Sequence, residues 1–194
     1  MVSLAIDDIR VFLAFPLPAD IIDAIREAQK CLKDQGIRMA WVKPENVHLT
    51  LKFLGEISPE AIRLAMGAAE AAAAGAAPMA LTVKGLGVFP DARRPRVVWA
   101  GLGGRAQSLI DFQAGLEENL ANVGFERERR RFAAHLTLGR IKKPIPPAKL
   151  VSALDACAGL TSREFRLDGL ALYRSELRPE GAVYTVLKTF PLGS

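Results

Sequence analysis

The chain has 194 residues, 50% of them hydrophobic and 24% charged, with a formal net charge of +5. That balance excludes a disordered or low-complexity chain and leaves enough length for a domain with its own core. The mild basic excess permits a polyanionic partner without requiring one.

The opening residues lack a basic stretch followed by a long apolar one, so no secretory leader is expected. Residues 10–17 (RVFLAFPL) read as a first strand closed by Pro16 and Pro18. Residues 19–35 follow as an amphipathic helix, with Ile21, Ile22, Ile25, Ala28 and Leu32 at helical spacing and Gly36 ending it. Residues 39–42 form a short strand and 47–53 a longer one. In the latter Val47, Leu49, Leu51 and Phe53 are apolar while His48, Thr50 and Lys52 are polar, the signature of a half-buried strand with a working face.

Ser58 and Pro59 suit the N-cap and first turn of an alanine-rich helix. The run 61–77 is broken by Arg63, Glu70 and two glycines, so it reads as a packed helix and not a membrane span. Strands are expected at 79–89 and 96–102, a helix at 104–123, a strand at 131–141, a helix near 148–157 and strands near 165–173 and 182–190. Interspersed helices and adjacent strand pairs predict an α+β fold with antiparallel sheets, helices outside, and two pseudo-symmetric halves facing a central groove. Cys31 and Cys157 lie far apart, outside any CxxC pair, and are expected as free thiols in a reducing compartment. The chain is expected in the cytoplasm, as a monomer.

The two histidines of the chain occupy one repeated phrase, His48-Leu49-Thr50-Leu51 and His135-Leu136-Thr137-Leu138. In a strand, residues i and i+2 share a face, so each phrase presents an imidazole beside a hydroxyl, anchored by two leucines. Imidazole titrates near neutrality, so one ring can accept a proton while the other donates one. A hydroxyl suits a non-bridging phosphate oxygen. Metal binding is the rival reading: catalytic zinc sites use three protein ligands and no spacing supplies the third near either motif, which leaves two histidines with a carboxylate from a distant position. Residues 101–106 meet a loose GxGxxA pattern, read here as a strand-to-helix turn because the acid that completes a dinucleotide site is missing. Arg93, Arg94, Arg96, the 127–131 cluster and Lys142-Lys143 offer contacts for RNA phosphates, and Phe89 a face on which a base could stack.

The paired HxTx motifs resemble those of the 2H phosphoesterase superfamily. RVFLAFPLP, WVKPENVHLTLKFLGE, GLGVFPDARRPRVVWAGL, RRRFAAHLTLGR, and YRSEL with YTVL resemble in particular the bacterial and archaeal RNA 2′,3′-cyclic phosphodiesterases, the LigT-like group also called 2′-5′ RNA ligases. The similarity spans residues 10–190. It implies one bilobal domain over 1–194 and hydrolysis of a terminal ribose 2′,3′-cyclic phosphate to a 2′-phosphate, without metal or cofactor. The implied partner is an RNA or nucleotide with a cyclic-phosphate end, with no membrane involved. It further implies His48 as proton donor to the leaving 3′-oxygen, His135 as the base that activates water, and Thr50, Thr137 and Arg140 as phosphate ligands. The motifs being identical, the residues by themselves leave open which ring donates. The alternatives are 2′-5′ joining, the same reaction reversed, hydrolysis of a small cyclic nucleotide, and a non-catalytic RNA-end binder.

Overall fold

The structure, a computed structural model, describes residues 8–179 and 181–193. The elements run β1 (Ile9–Phe15), α1 (Ala19–Asp34), β2 (Ala40–Trp41), a 3-10 turn (Pro44–Asn46), β3 (Leu49–Ile57), α2 (Pro59–Ala74), β4 (Met79–Phe89), β5 (Val97–Gly104), α3 (Ala106–Asn122), β6 (Leu136–Arg140), α4 (Pro147–Ala156), β7 (Phe165–Leu167), β8 (Gly169–Arg178) and β9 (Gly181–Pro191). This is the expected order with one more strand, because the segment read as 165–173 breaks at Asp168, whose carbonyl accepts the Leu192 N–H.

The fold is α+β. One sheet has the order β3-β1-β8-β9 and the other β2-β6-β5-β4-β7, with every pairing antiparallel. The sheets do not follow the order of the chain: β2 joins the second, and the late β8–β9 hairpin completes the first. Buried Gln29 on α1 fastens part of this exchange, its side-chain amide donating to the carbonyls of Val42 at 2.7 Å and Leu138 at 3.0 Å.

Each helix contributes an apolar face to one contiguous core: Ile21, Ile25 and Leu32 from α1, Ala65, Ala69 and Ala73 from α2, Leu109, Leu116 and Leu120 from α3, and Leu150 from α4. Burying each leucine or isoleucine is worth roughly 1.5–3 kcal/mol. The Ser58 hydroxyl accepts the Ala61 N–H at 3.3 Å, the N-cap expected from Ser58-Pro59. Gly104, the last residue of β5, takes a φ of +83° and Arg105 leads straight into α3, so the glycine-rich 101–106 segment is the end of a strand turning tightly into a helix.

Two expectations are corrected. The first is the alternation along β3. Register slips between Val11/Phe12 and Leu13/Ala14 leave Leu51 and Leu54 as extra residues, and each such bulge reverses which side chain faces the core. Lys52, expected on the working face, is therefore only 8% exposed, and Phe53, expected inside, is 59% exposed. The second concerns the thiols. Cys31 on α1 and Cys157 at the end of α4 form a disulfide with a Cα–Cα distance of 6.1 Å. Pairing across 126 residues is created by helix packing, and nothing local to either cysteine announces it.

Candidate active site

Each histidine stands one residue before a strand begins, His48 ahead of β3 and His135 ahead of β6. Segment 131–135, expected as strand, is irregular, because β6 starts to pair with β5 only at Leu136. The leucines of both phrases are buried and both threonines are half-buried, as the two-residue period requires.

Both rings are held by the same bond. His48 Nδ1 lies 2.8 Å from the Asn46 carbonyl and His135 Nδ1 lies 2.7 Å from the Ala133 carbonyl. A carbonyl only accepts, so Nδ1 carries the hydrogen in each ring and Nε2 is left to work. Asn46 is itself anchored, its side-chain amide donating to the Ala182 carbonyl at 2.9 Å.

Their surroundings differ. His48 is packed among aromatics: Phe12 stacks on it at 4.6 Å between centroids, Tyr184 meets it edge-on at 5.1 Å, and Tyr173 lies at 6.0 Å. Phe12 and Ala14 face away from the core cluster, yet Phe12 is buried by this aromatic group. Loss of water around the ring pushes the His48 pKa down from 6.5 to about 4, against the opposing effect of the Asn46 carbonyl. His135 touches the edge of Phe89 at 5.0 Å, and Phe89 leans on Trp99 at 5.1 Å. Trp99 lies flat over Gly87, where a Cβ would stand 2.2 Å from its ring, so that glycine admits the support beneath Phe89. Burial also lowers the His135 pKa, and the Arg140 charge lowers it further.

Arg140 links the two surroundings. It ends β6, is exposed, and has no carboxylate partner among the described residues. Its charge acts on His135 and on the Tyr184 phenol, and Tyr184 touches His48. A fixed cation within reach of both histidine neighbourhoods is what a phosphate between them would meet. Neither threonine hydroxyl is engaged by another group among the described residues, so both are free to donate.

His48 and Thr50 thus stand at the start of β3, His135, Thr137 and Arg140 along the start and end of β6, and Phe89 at the end of β4 against His135. Arg93 lies in the turn that follows β4 and Phe89, where the Asp91 carboxylate accepts the backbone N–H groups of Arg93 and Arg94. Nothing in the local sequence marks Phe12, Tyr173 and Tyr184 as neighbours of His48. Phe12 lay inside an uninterrupted apolar strand, where nothing distinguishes the core face from the other.

Among the described residues, no group of three or more His, Cys, Asp or Glu is arranged to hold a metal ion, and no helix is long and apolar enough to cross a membrane.

A family model described as LigT-like phosphoesterase matches residues 15–99 and 103–184. Relatives described as RNA 2′,3′-cyclic phosphodiesterase include one from Thermus thermophilus, 36% identical over 94% of this chain and 90% of its own. Another, from Methanothermobacter thermautotrophicus, is 33% identical over 95% and 99%. Among solved structures, TT0787 of Thermus thermophilus superposes with a TM-score of 0.79 at 31% identity, covering 95% of this chain and 98% of that one. E. coli LigT complexed with 3′-AMP gives 0.74 at 27%, covering 96% and 99%. With most of its length matched by the family model and its fold shared with these structures, the chain belongs to the LigT-like phosphoesterase family.

Proposed function

We propose that this protein hydrolyses the 2′,3′-cyclic phosphate at RNA or nucleotide ends to a 2′-phosphate, with two histidines exchanging the proton roles and no metal required. The observation that carries this reading is the pair of imidazoles, each with Nδ1 committed to a carbonyl and Nε2 free, with Arg140 acting on both surroundings. The description of the relatives as RNA 2′,3′-cyclic phosphodiesterases supports it.

In the free site both rings are neutral near pH 7, since both pKa values are depressed. A cyclic phosphate is a monoanion, and its arrival raises the proton affinity of a ring beside it, most where water is excluded. His48, the more deeply buried ring, is the one that gains and holds a proton on substrate binding, and so serves as acid. His135, more open to solvent, takes a proton from water at Nε2 as the water oxygen attacks phosphorus. The P–O3′ bond breaks, and His48 Nε2 delivers its proton to O3′. Thr50, Thr137 and Arg140 hold the non-bridging oxygens as charge builds on them. The turnover ends with His135 protonated and His48 neutral, and solvent exchange restores the starting state. The 2′-5′ joining alternative needs no reversal of the hydrolysis: a 5′-hydroxyl attacks phosphorus in place of water, His135 takes its proton, and O3′ leaves with the proton from His48 as before. The working protein is proposed as one bilobal monomer in the cytoplasm, where RNA ends are available.

The test is hydrolysis of 2′,3′-cyclic AMP in excess chelator by the wild type and by His48→Ala and His135→Ala. Each role is typically worth about two to four powers of ten in rate, so each variant is expected to lose at least a hundredfold. Full activity in either variant, or abolition by chelator, contradicts the proposal.

A further inference from the structure

The aromatic face of the first sheet carries one exposed ring that the hydrolysis above does not use. Phe53 is 59% exposed, yet it packs 5.7 Å from Phe12, the ring stacked on His48. The bulges of β3 turn it outward. Phe53 also lines a cavity of about 460 Å³, whose other wall is the loop at 125–130.

That loop is basic and firmly held. Residues 126–131 contain four arginines against two glutamates. Lys52 Nζ donates to the Glu126 carbonyl at 2.7 Å and to Glu117 Oε2 at 3.0 Å, and Glu117 Oε2 accepts the Glu128 N–H at 3.2 Å. Arg127 pairs with Glu118 and Arg129 with Glu126, whereas the guanidinium groups of Arg130 and Arg131 have no carboxylate partner among the described residues. Arg130 lines the cavity with Phe53, and the chain runs on from Arg131 directly to His135. An exposed ring opposite an unpaired guanidinium, next to a phosphate site, is the combination that holds a nucleotide of a single strand: a π-face for the base and a cation for the backbone.

We propose that this cavity is a subsite for the nucleotide preceding the cyclic-phosphate end of single-stranded RNA, its base stacked on Phe53 and its phosphate held by Arg130. The proposal rests on the cyclic-phosphodiesterase reading and narrows the substrate from a mononucleotide to an RNA end. Stacking makes the subsite tolerant of base identity.

The experiment compares kcat/KM for a 2′,3′-cyclic mononucleotide and for a dinucleotide ending in the same cyclic phosphate. The wild type is expected to favour the dinucleotide by about five- to a hundredfold, the usual worth of one stacked base. Phe53→Ala cuts that ratio at least fivefold, down to the share that Arg130 supplies, while Phe53→Trp keeps it. Arg130→Ala lowers it and reduces the salt slope for the dinucleotide by about one. Taking the ratio within each variant cancels any change at the histidines, and a side chain this exposed is not needed for folding. A wild-type ratio near one, or a ratio that survives Phe53→Ala, overturns the proposal. If neither substrate is hydrolysed, it is the reaction reading that fails, and the subsite is judged by fluorescence anisotropy of labelled single-stranded RNA. There, fivefold or greater weakening by Phe53→Ala supports the subsite and unchanged affinity overturns it.

Discussion

Burial of His48 makes the protein's stability depend on pH in a defined window. The ring titrates at about 4 in the folded protein against 6.5 for the unperturbed group. The folded state therefore binds fewer protons than the unfolded state between these values, and stability falls as pH drops from 6.5 towards 4. Above 6.5 both states are neutral at this residue and the effect vanishes; below 4 both are charged and it is constant. With each unit worth about 1.36 kcal/mol, the loss from this ring reaches about 2 kcal/mol at pH 5 and about 3 kcal/mol at pH 4. His135 acts in the same direction, so the contribution is isolated by comparison with His48→Gln, in which every other group is retained. Urea unfolding of both proteins at pH 7, 5 and 4 reads it directly, provided the m-values agree. The wild type is expected to lose about 3 kcal/mol more than the variant between pH 7 and 4. Equal losses, to within about 0.5 kcal/mol, would refute a desolvated neutral His48 and with it the argument that the substrate anion supplies the reason for its protonation.

The same depressed values place the optimum of kcat/KM, which reports the free enzyme, below pH 6.5, with activity falling as pH rises beyond it; a pH–rate profile centred above 7 would contradict this. Arg140→Ala should cost about 10²–10³ in rate at constant pH by removing the fixed cation, whereas a loss below tenfold would remove Arg140 from the phosphate site. Lys52→Met takes the paired cation from the Glu117 carboxylate, 13% exposed, and should destabilise the fold by about 3 kcal/mol in urea unfolding; a change under 1 kcal/mol would show the pair to be dispensable. Reducing the Cys31–Cys157 bond should lower stability by about 2–4 kcal/mol, and titration of two free thiols in the native, unreduced protein would contradict the disulfide.

The sequence carried the order of the elements and the face on which each histidine and threonine lies, because both follow from local periodicity. Val47 to Leu51 alternates as a half-buried strand should. The pattern fails at Lys52 and Phe53, since the two bulges are set by pairing with β1, a partner nearly forty residues upstream. Lys52 looked like a solvent-facing cation, and its burial makes sense only with Glu117 and the Glu126 carbonyl arriving from α3 and the loop beyond it. The aromatic enclosure of His48 draws Phe12 from β1 with Tyr173 and Tyr184 from the last hairpin, a meeting decided by sheet order. Gln29, inside an amphipathic helix, gave no sign that its amide would fasten β6 to the Val42 segment. The cysteine pair was hidden for the same reason. In each case the missing information was long-range, while composition and spacing report only on neighbours.

The division of labour between two identical motifs is the central claim, and the identity of the product tests it most directly. Hydrolysis of a 2′,3′-cyclic nucleotide, followed by ³¹P NMR in the presence of chelator, distinguishes the two phosphomonoesters. With His48 protonating O3′ and His135 activating water, the product is the 2′-phosphate alone. A 3′-phosphate product would mean that the 2′-oxygen leaves and that the proposed roles of His48 and His135 are wrong.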